Sequence, residues 1–224
     1  MKFETDNNII LFDKPIGKTS FDIVKIIRKY SKIKKVGHAG TLDPLATGLL
    51  VLCTGKCTKE ISKIQQCEKE YTGTIVIGAT RPSYDMETEI DHYFETKNIK
   101  PEHIYKAFET FKGFIEQVPP AFSAVKINGK RAYESARKGV EVKIEPRKVE
   151  IKDIEVTKIK NLEVDFRVVC SKGTYIRTLA NDIGKKLNNG AYLKALRRTR
   201  IGQFHVENAY KIEEFIYNEN LLNQ

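Results

Sequence analysis

The chain has 224 residues, a formal charge of +10 and an isoelectric point near 9.3. With 41% hydrophobic and 30% charged residues it is too apolar for intrinsic disorder and long enough to bury a core, as one large domain or two small ones. Its longest apolar run, Leu49 to Cys53, is far short of the roughly 20 residues a membrane-spanning helix needs.

In chain order, helical spacing of Ile23, Ile26, Ile27 and Tyr30 predicts a first helix, with Ser20 as its cap and Asp22 in its first turn. Alternation over residues 71–79 predicts a strand. Pro101 opens a second helix with Ile104, Phe108 and Phe111 on one face, and residues 131–138 suit a short helix closed by Gly139. Alternating runs at Val140–Ile144, Val149–Ile151 and Leu162–Cys170 predict half-buried strands. Tyr175 to Leu187 predicts a third helix, stopping at Asn188-Asn189-Gly190, and Lys211 to Tyr217 a last short one. Without a regular βαβ alternation, the fold class expected is α+β with a largely antiparallel, mixed sheet flanked by helices.

The N-terminus carries two acids before a brief apolar stretch, Ile9 to Phe12, so it has no secretory h-region or transit-peptide bias, and the expected location is cytoplasmic. Four cysteines (Cys53, Cys57, Cys67, Cys170) are too few for a disulfide scaffold. Cys53, Cys57, Cys67 and His38 fit no common structural-zinc spacing, and no metal or cofactor is expected.

Charge is unevenly placed: +6 over residues 1–66, −4 over 67–120 and +8 over 121–224. Basic knots lie at Lys25, Arg28, Lys29, Lys32, Lys34 and Lys35; at Lys126, Lys130, Arg131, Arg137 and Lys138; and at Lys194, Arg197, Arg198 and Arg200. Such knots are what a phosphate backbone attracts, but an excess of solvated lysine looks the same, so charge alone leaves both readings open.

Gly17-Lys18-Thr19 fails as a phosphate loop because Phe12 stands where a glycine is required. Gly37 to Gly48 (GHAGTLDPLATG) packs three glycines, a proline, His38 and one acid, Asp43, ahead of an apolar run, which predicts a rigid loop holding a carboxylate at the lip of the core. An ordinary turn aspartate is the plainer alternative. Cys170 to Leu179 reads as a strand end turning into a helix, with Arg177 in the first turn, where a cation opposes the macrodipole and calls for a carboxylate or phosphate partner; a structural arginine facing Asp182 or solvent is the plainer alternative.

Several stretches together resemble the tRNA pseudouridine synthase B (TruB) family: Asp13-Lys14-Pro15 with Gly17, GHAGTLDPLATGLLVLCTGKCTK from Gly37 to Lys59, KEYTG from Lys69 to Gly73, QVPPAFSAVKINGKRAYESARKG from Gln117 to Gly139, CSKGTYIRTL from Cys170 to Leu179, and Leu196-Arg197-Arg198. The resemblance runs in order over about residues 10–205 and implies a pseudouridine synthase fold. It implies an enzyme that isomerises uridine 55 in the T loop of tRNA to pseudouridine, detaching the base and rejoining it through C5, with no cofactor.

By this resemblance Asp43 is the nucleophile, His38 lies near the flipped-out nucleotides, Tyr71 stacks on the uracil, Arg177 pairs with Asp43, and Tyr175 and the Leu196 backbone complete the uracil pocket. Attack at C6, attack at C1′ and removal of a 2′ proton all remain open routes for one ionised carboxylate. The partner implied is tRNA, specifically its T-arm stem-loop, with no membrane or guide RNA and a monomeric enzyme. Residues 79–91 match the family's acidic segment poorly, keeping Asp85 but showing Arg81-Pro82 and Thr88. Residues 1–210 are expected to form the catalytic domain and 211–224 a short helical tail, where longer relatives continue into a PUA domain.

Overall fold

The computed structural model describes residues 7–123, 126–127, 130–133, 140 and 144–222. Strand β1 (Ile9–Lys14) leads into helix α1 (Ser20–Ser31), then β2 (Val36–His38), β3 (Thr47–Thr54), α2 (Ile61–Gln66) and β4 (Lys69–Ile77). Helix α3 (Pro101–Glu109), β5 (Gly113–Gln117), β6 (Arg147–Lys160) and β7 (Glu163–Cys170) follow. Helix α4 (Ile176–Lys186), β8 (Ala191–Ile201), β9 (Phe204–His205) and α5 (Ile212–Leu222) complete the chain. The fold is mixed α and β, with a large, mostly antiparallel sheet and several helices. Among the described residues no helix is long and apolar enough to cross a membrane.

The chain divides into two compact units, Met1–Tyr71 with Leu196–Gln224, and Thr72–Ala195, and the boundaries fall inside β4 and β8. In the first unit β3 pairs antiparallel with β1 and β2 and parallel with β8, where Arg197 faces Thr47 and Arg198 faces Gly48. Both faces of β3 are covered: Leu50 and Leu52 pack with Ile10, Phe12, Ile23, Ile27 and Phe215, while Leu49, Val51 and Cys53 pack with Ala39, Ile64, Ile201 and Val206. A strand buried on both faces is an unbroken apolar run, which accounts for Leu49 to Cys53. Burial pushes the Cys53 thiol up to about 11, so it behaves as an apolar filler. Residues 211–224, read as a tail, contribute α5, whose Phe215 meets Phe12 edge-on at 5.0 Å.

In the second unit β6 pairs antiparallel with β7 and β5, and Phe108 of α3 approaches Phe166 of β7 at 6.1 Å. The helices expected at 101, 175 and 211 are present. The short helix expected over 131–138 lies largely outside the described residues, as do 141–143; Val140 and Ile144 belong to no strand, and Val140 is exposed.

The cap of α1 is Thr19 rather than Ser20. Thr19 accepts from the Asp22 amide while the Asp22 carboxylate accepts from the Thr19 amide and hydroxyl, a reciprocal capping box. Those bonds, with one from Lys25, pull the Asp22 carboxyl down to about 2. Ser20, one residue on, is buried and serves the loop described next.

Candidate active site

Between β2 and β3 the chain makes the loop that carries Asp43, which is half-buried behind the fully enclosed Leu42. Three buried side chains hold its backbone. The Ser20 hydroxyl accepts from the Leu42 amide at 2.9 Å and donates to the Leu42 carbonyl at 3.1 Å. Lys14 donates from Nζ to the carbonyls of Pro15 (2.9 Å), Lys18 (2.6 Å) and Pro44 (3.4 Å), and the Gly17 amide also donates to Pro44. Arg198 donates from Nε to the Leu49 carbonyl at 2.8 Å and from Nη2 to the Gly40 carbonyl at 3.1 Å, so one guanidinium ties the start of the loop to the strand beyond its end.

Gly48 is required where the loop enters β3. Its φ of +99° is left-handed, and a Cβ there would lie 2.3 Å from the Arg198 carbonyl oxygen. Only a bare backbone lets the parallel pairing of β3 with β8 bring Arg198 under the loop.

Lys14 is 0% exposed and Arg198 1%. Burial and the neighbouring Arg198 cation lower the Lys14 pKa to about 8, against the opposing pull of the Asp43 and Asp22 carboxylates. Asp43 is thus the near anion of a loop whose supports are two enclosed cations. His38, on β2, is held below its ordinary pKa by burial first and Arg198 second, so the imidazole is neutral at pH 7, and its Nδ1 has no hydrogen-bond partner among the described residues. Tyr71 is buried in β4, and the Leu196 carbonyl accepts from the Thr47 hydroxyl at 3.4 Å. Asp43, His38, Tyr71 and Leu196 therefore all belong to the first unit.

Tyr175 and Arg177 belong to the second. Gln117 fixes Tyr175 at the head of α4 through both its amide and its carbonyl, at 2.9 and 3.1 Å. Arg177 is 5% exposed; its Nε lies 3.6 Å from the Asp85 carboxylate, and its Nη1 donates to the carbonyls of Phe122 and Ser83. The anion facing this cation within its own unit is Asp85, the acid kept in the divergent 79–91 segment, whereas Asp182 bonds Lys185 and Asn181.

Sequence reasoning passed over Lys14, Ser20 and Arg198 as site residues. Lys14 carried a signal: it shares the inward face of β1 with Ile10 and Phe12, and a lysine on an apolar face needs a reason. Arg198 hides in the third basic knot, and that knot is consumed internally. Arg197 pairs bidentately with Asp13 at 2.7 and 2.9 Å, Arg200 meets Glu68 at 2.8 Å, and Lys194 bonds Glu163. The first knot keeps exposed cations at Lys32, Lys34 and Lys35, and the side chains of the second lie outside the described residues.

Residues 28–176 match the family model for the TruB family pseudouridylate synthase N-terminal domain, and residues 177–222 match that for the tRNA pseudouridylate synthase B C-terminal domain. The chain belongs to the TruB pseudouridylate synthase family. A curated relative from Flavobacterium johnsoniae, named tRNA pseudouridine synthase B, is 53% identical over 94% of this chain and 95% of its own length. One from Phocaeicola vulgatus with the same name is 49% identical over 94% and 92%. Among solved structures, a Cbf5–Nop10–Gar1 complex contains a chain with TM-score 0.77 and 29% identity to this one, covering 98% of this chain, which spans about half (56%) of that neighbour. The TruB likeness thus covers both units, and Asp43 falls within the N-terminal family segment.

Proposed function

We propose that this TruB-family chain isomerises uridine 55 in the T loop of tRNA to pseudouridine, with Asp43 as the nucleophile and no metal or cofactor. The observation that carries this reading is the Asp43 loop, braced by Ser20, Lys14 and Arg198 at its middle and both ends. A carboxylate that must meet one atom of a nucleotide gains from being held in place before the substrate arrives. The target base sits in a stacked loop and has to be flipped out to reach it. The neutral imidazole of His38 takes the place near the flipped nucleotides, Tyr71 stacks on the uracil, and Tyr175, the Leu196 backbone and Arg177 serve the substrate.

The test is conversion of an unmodified T-arm stem-loop by the purified chain. Wild type forms pseudouridine, and Asp43→Asn lowers the rate by roughly a thousandfold or more while still binding RNA. Undiminished product from Asp43→Asn would remove the nucleophile from this account. Turnover on a bare stem-loop also separates this reading from a guide-RNA-dependent one.

A further inference from the structure

Three exposed apolar side chains stand in the Asp43 loop or in segments hydrogen-bonded to it: Ile16 is 65% exposed, Phe21 53% and Leu45 37%. They come from segments bonded to one another. Ile16 and Leu45 each stand one residue from the Gly17–Pro44 backbone hydrogen bond, and Phe21 follows Ser20, which grips the residue preceding Asp43. A Cβ built on Gly17 would meet nothing within 4 Å, so the loop between Ile16 and Lys18 faces open space. Lys18 is exposed beside it, while the Lys25 ammonium, 5.2 Å from the Phe21 ring centroid, is paired with Asp22 at 3.2 Å.

Three exposed apolar residues on segments tied to one loop are candidates for a single contact surface. We propose that Ile16, Phe21 and Leu45 form a platform that seats the unstacked bases flanking the target nucleotide in the RNA loop, with the exposed Lys18 meeting their phosphates. The inference rests on the RNA-modifying role proposed above. Bases present apolar faces and their phosphates negative charge, and the platform offers the complement of both in continuity with Asp43. Flipping one base out strips a stacking face from each neighbour, and an apolar shelf beside the nucleophile covers what was exposed. An apolar protein partner would meet the exposed Lys18 ammonium beside the same surface.

The experiment measures binding of a labelled, unmodified T-arm stem-loop in the Asp43→Asn background, so that no turnover intervenes. Ile16→Ser, Phe21→Ala and Leu45→Ser are compared singly and together, with Tyr217→Ala, exposed on α5, as the control. Each single change is expected to raise Kd by about three- to tenfold and the triple by more, as loss of base stacking does elsewhere, with melting temperatures unchanged. A hairpin with the same stem closed by a tight tetraloop is expected to bind parent and triple variant equally. Kd within twofold of the parent for a folded triple variant overturns the platform, as does an equal loss on the tetraloop hairpin. Should the triple variant fail to fold, Ile16→Ser alone decides, since it changes an exposed side chain in an open loop. Wild type that binds the stem-loop without making pseudouridine defeats the proposed function and leaves the platform to the Kd ratio; wild type that does not bind it defeats both.

Discussion

Lys14 and Arg198 are two cations enclosed in protein, and backbone carbonyls rather than carboxylates satisfy most of their donors. In the folded chain Lys14 gives up its proton near pH 8, whereas an unperturbed lysine does so near 10.5. Between those values the unfolded chain binds more protons, so folding becomes more favourable as pH rises through that window. Chemical denaturation of wild type against Lys14→Met at pH 7.5, 9 and 10.5 should show this upward slope in wild type and its loss in the variant. Arg198→Met strands the carbonyls of Gly40 and Leu49 and should lower stability by about 2–4 kcal/mol, with a larger loss in turnover than in RNA affinity. Arg198→Lys restores charge but not the two-pronged geometry, so it should recover only part of that loss. The loop that carries Asp43 was legible in sequence because glycine and proline crowd into one short segment. Its supports were not: Arg198 reaches Gly40 across 158 residues and looks, in sequence, like one more surface arginine.

Helix α1 illustrates how an element can be read correctly and its end misassigned. The spacing of Ile23, Ile26, Ile27 and Tyr30 identifies the helix, but serine and threonine adjoin at its start and both cap well. The Thr19–Asp22 pair does the capping and frees the Ser20 hydroxyl to bond Leu42. Ser20→Ala should therefore cost about 1–3 kcal/mol, read from thermal or urea unfolding, because it leaves a buried amide and carbonyl unpaired. Thr19→Ala should cost about 1 kcal/mol and leave turnover intact. Measuring kcat on both variants separates a loop-positioning serine from a helix cap. The apolar run Leu49 to Cys53 reads in sequence only as core beside the Asp43 loop, not as a strand, because β3 is buried on both faces and so shows none of the alternation that marks a half-buried one.

Across the molecule, the excess of positive charge is less available than its total implies. Lys194, Arg197 and Arg200 are engaged with acids and Arg198 is buried, while Lys34 and Lys35 of the first knot are exposed. RNA affinity should fall steeply with salt, and Lys34→Gln with Lys35→Gln should make the log Kd versus log salt line shallower by one to two phosphates' worth. Arg200→Gln should leave that slope unchanged. A flat line for wild type would assign the basic blocks to solvation. The pairing of Thr47 and Gly48 with Arg197 and Arg198 has a further consequence, for biosynthesis. The Asp43 loop is synthesised well before its clamp: the guanidinium that reaches Gly40 follows 158 residues later, and the Phe215 that closes the neighbouring core later still. The loop carrying Asp43 should therefore stay loose during translation until β8 has emerged, so that synthesis interrupted before β8 yields a protein with this carboxylate present and its brace unassembled.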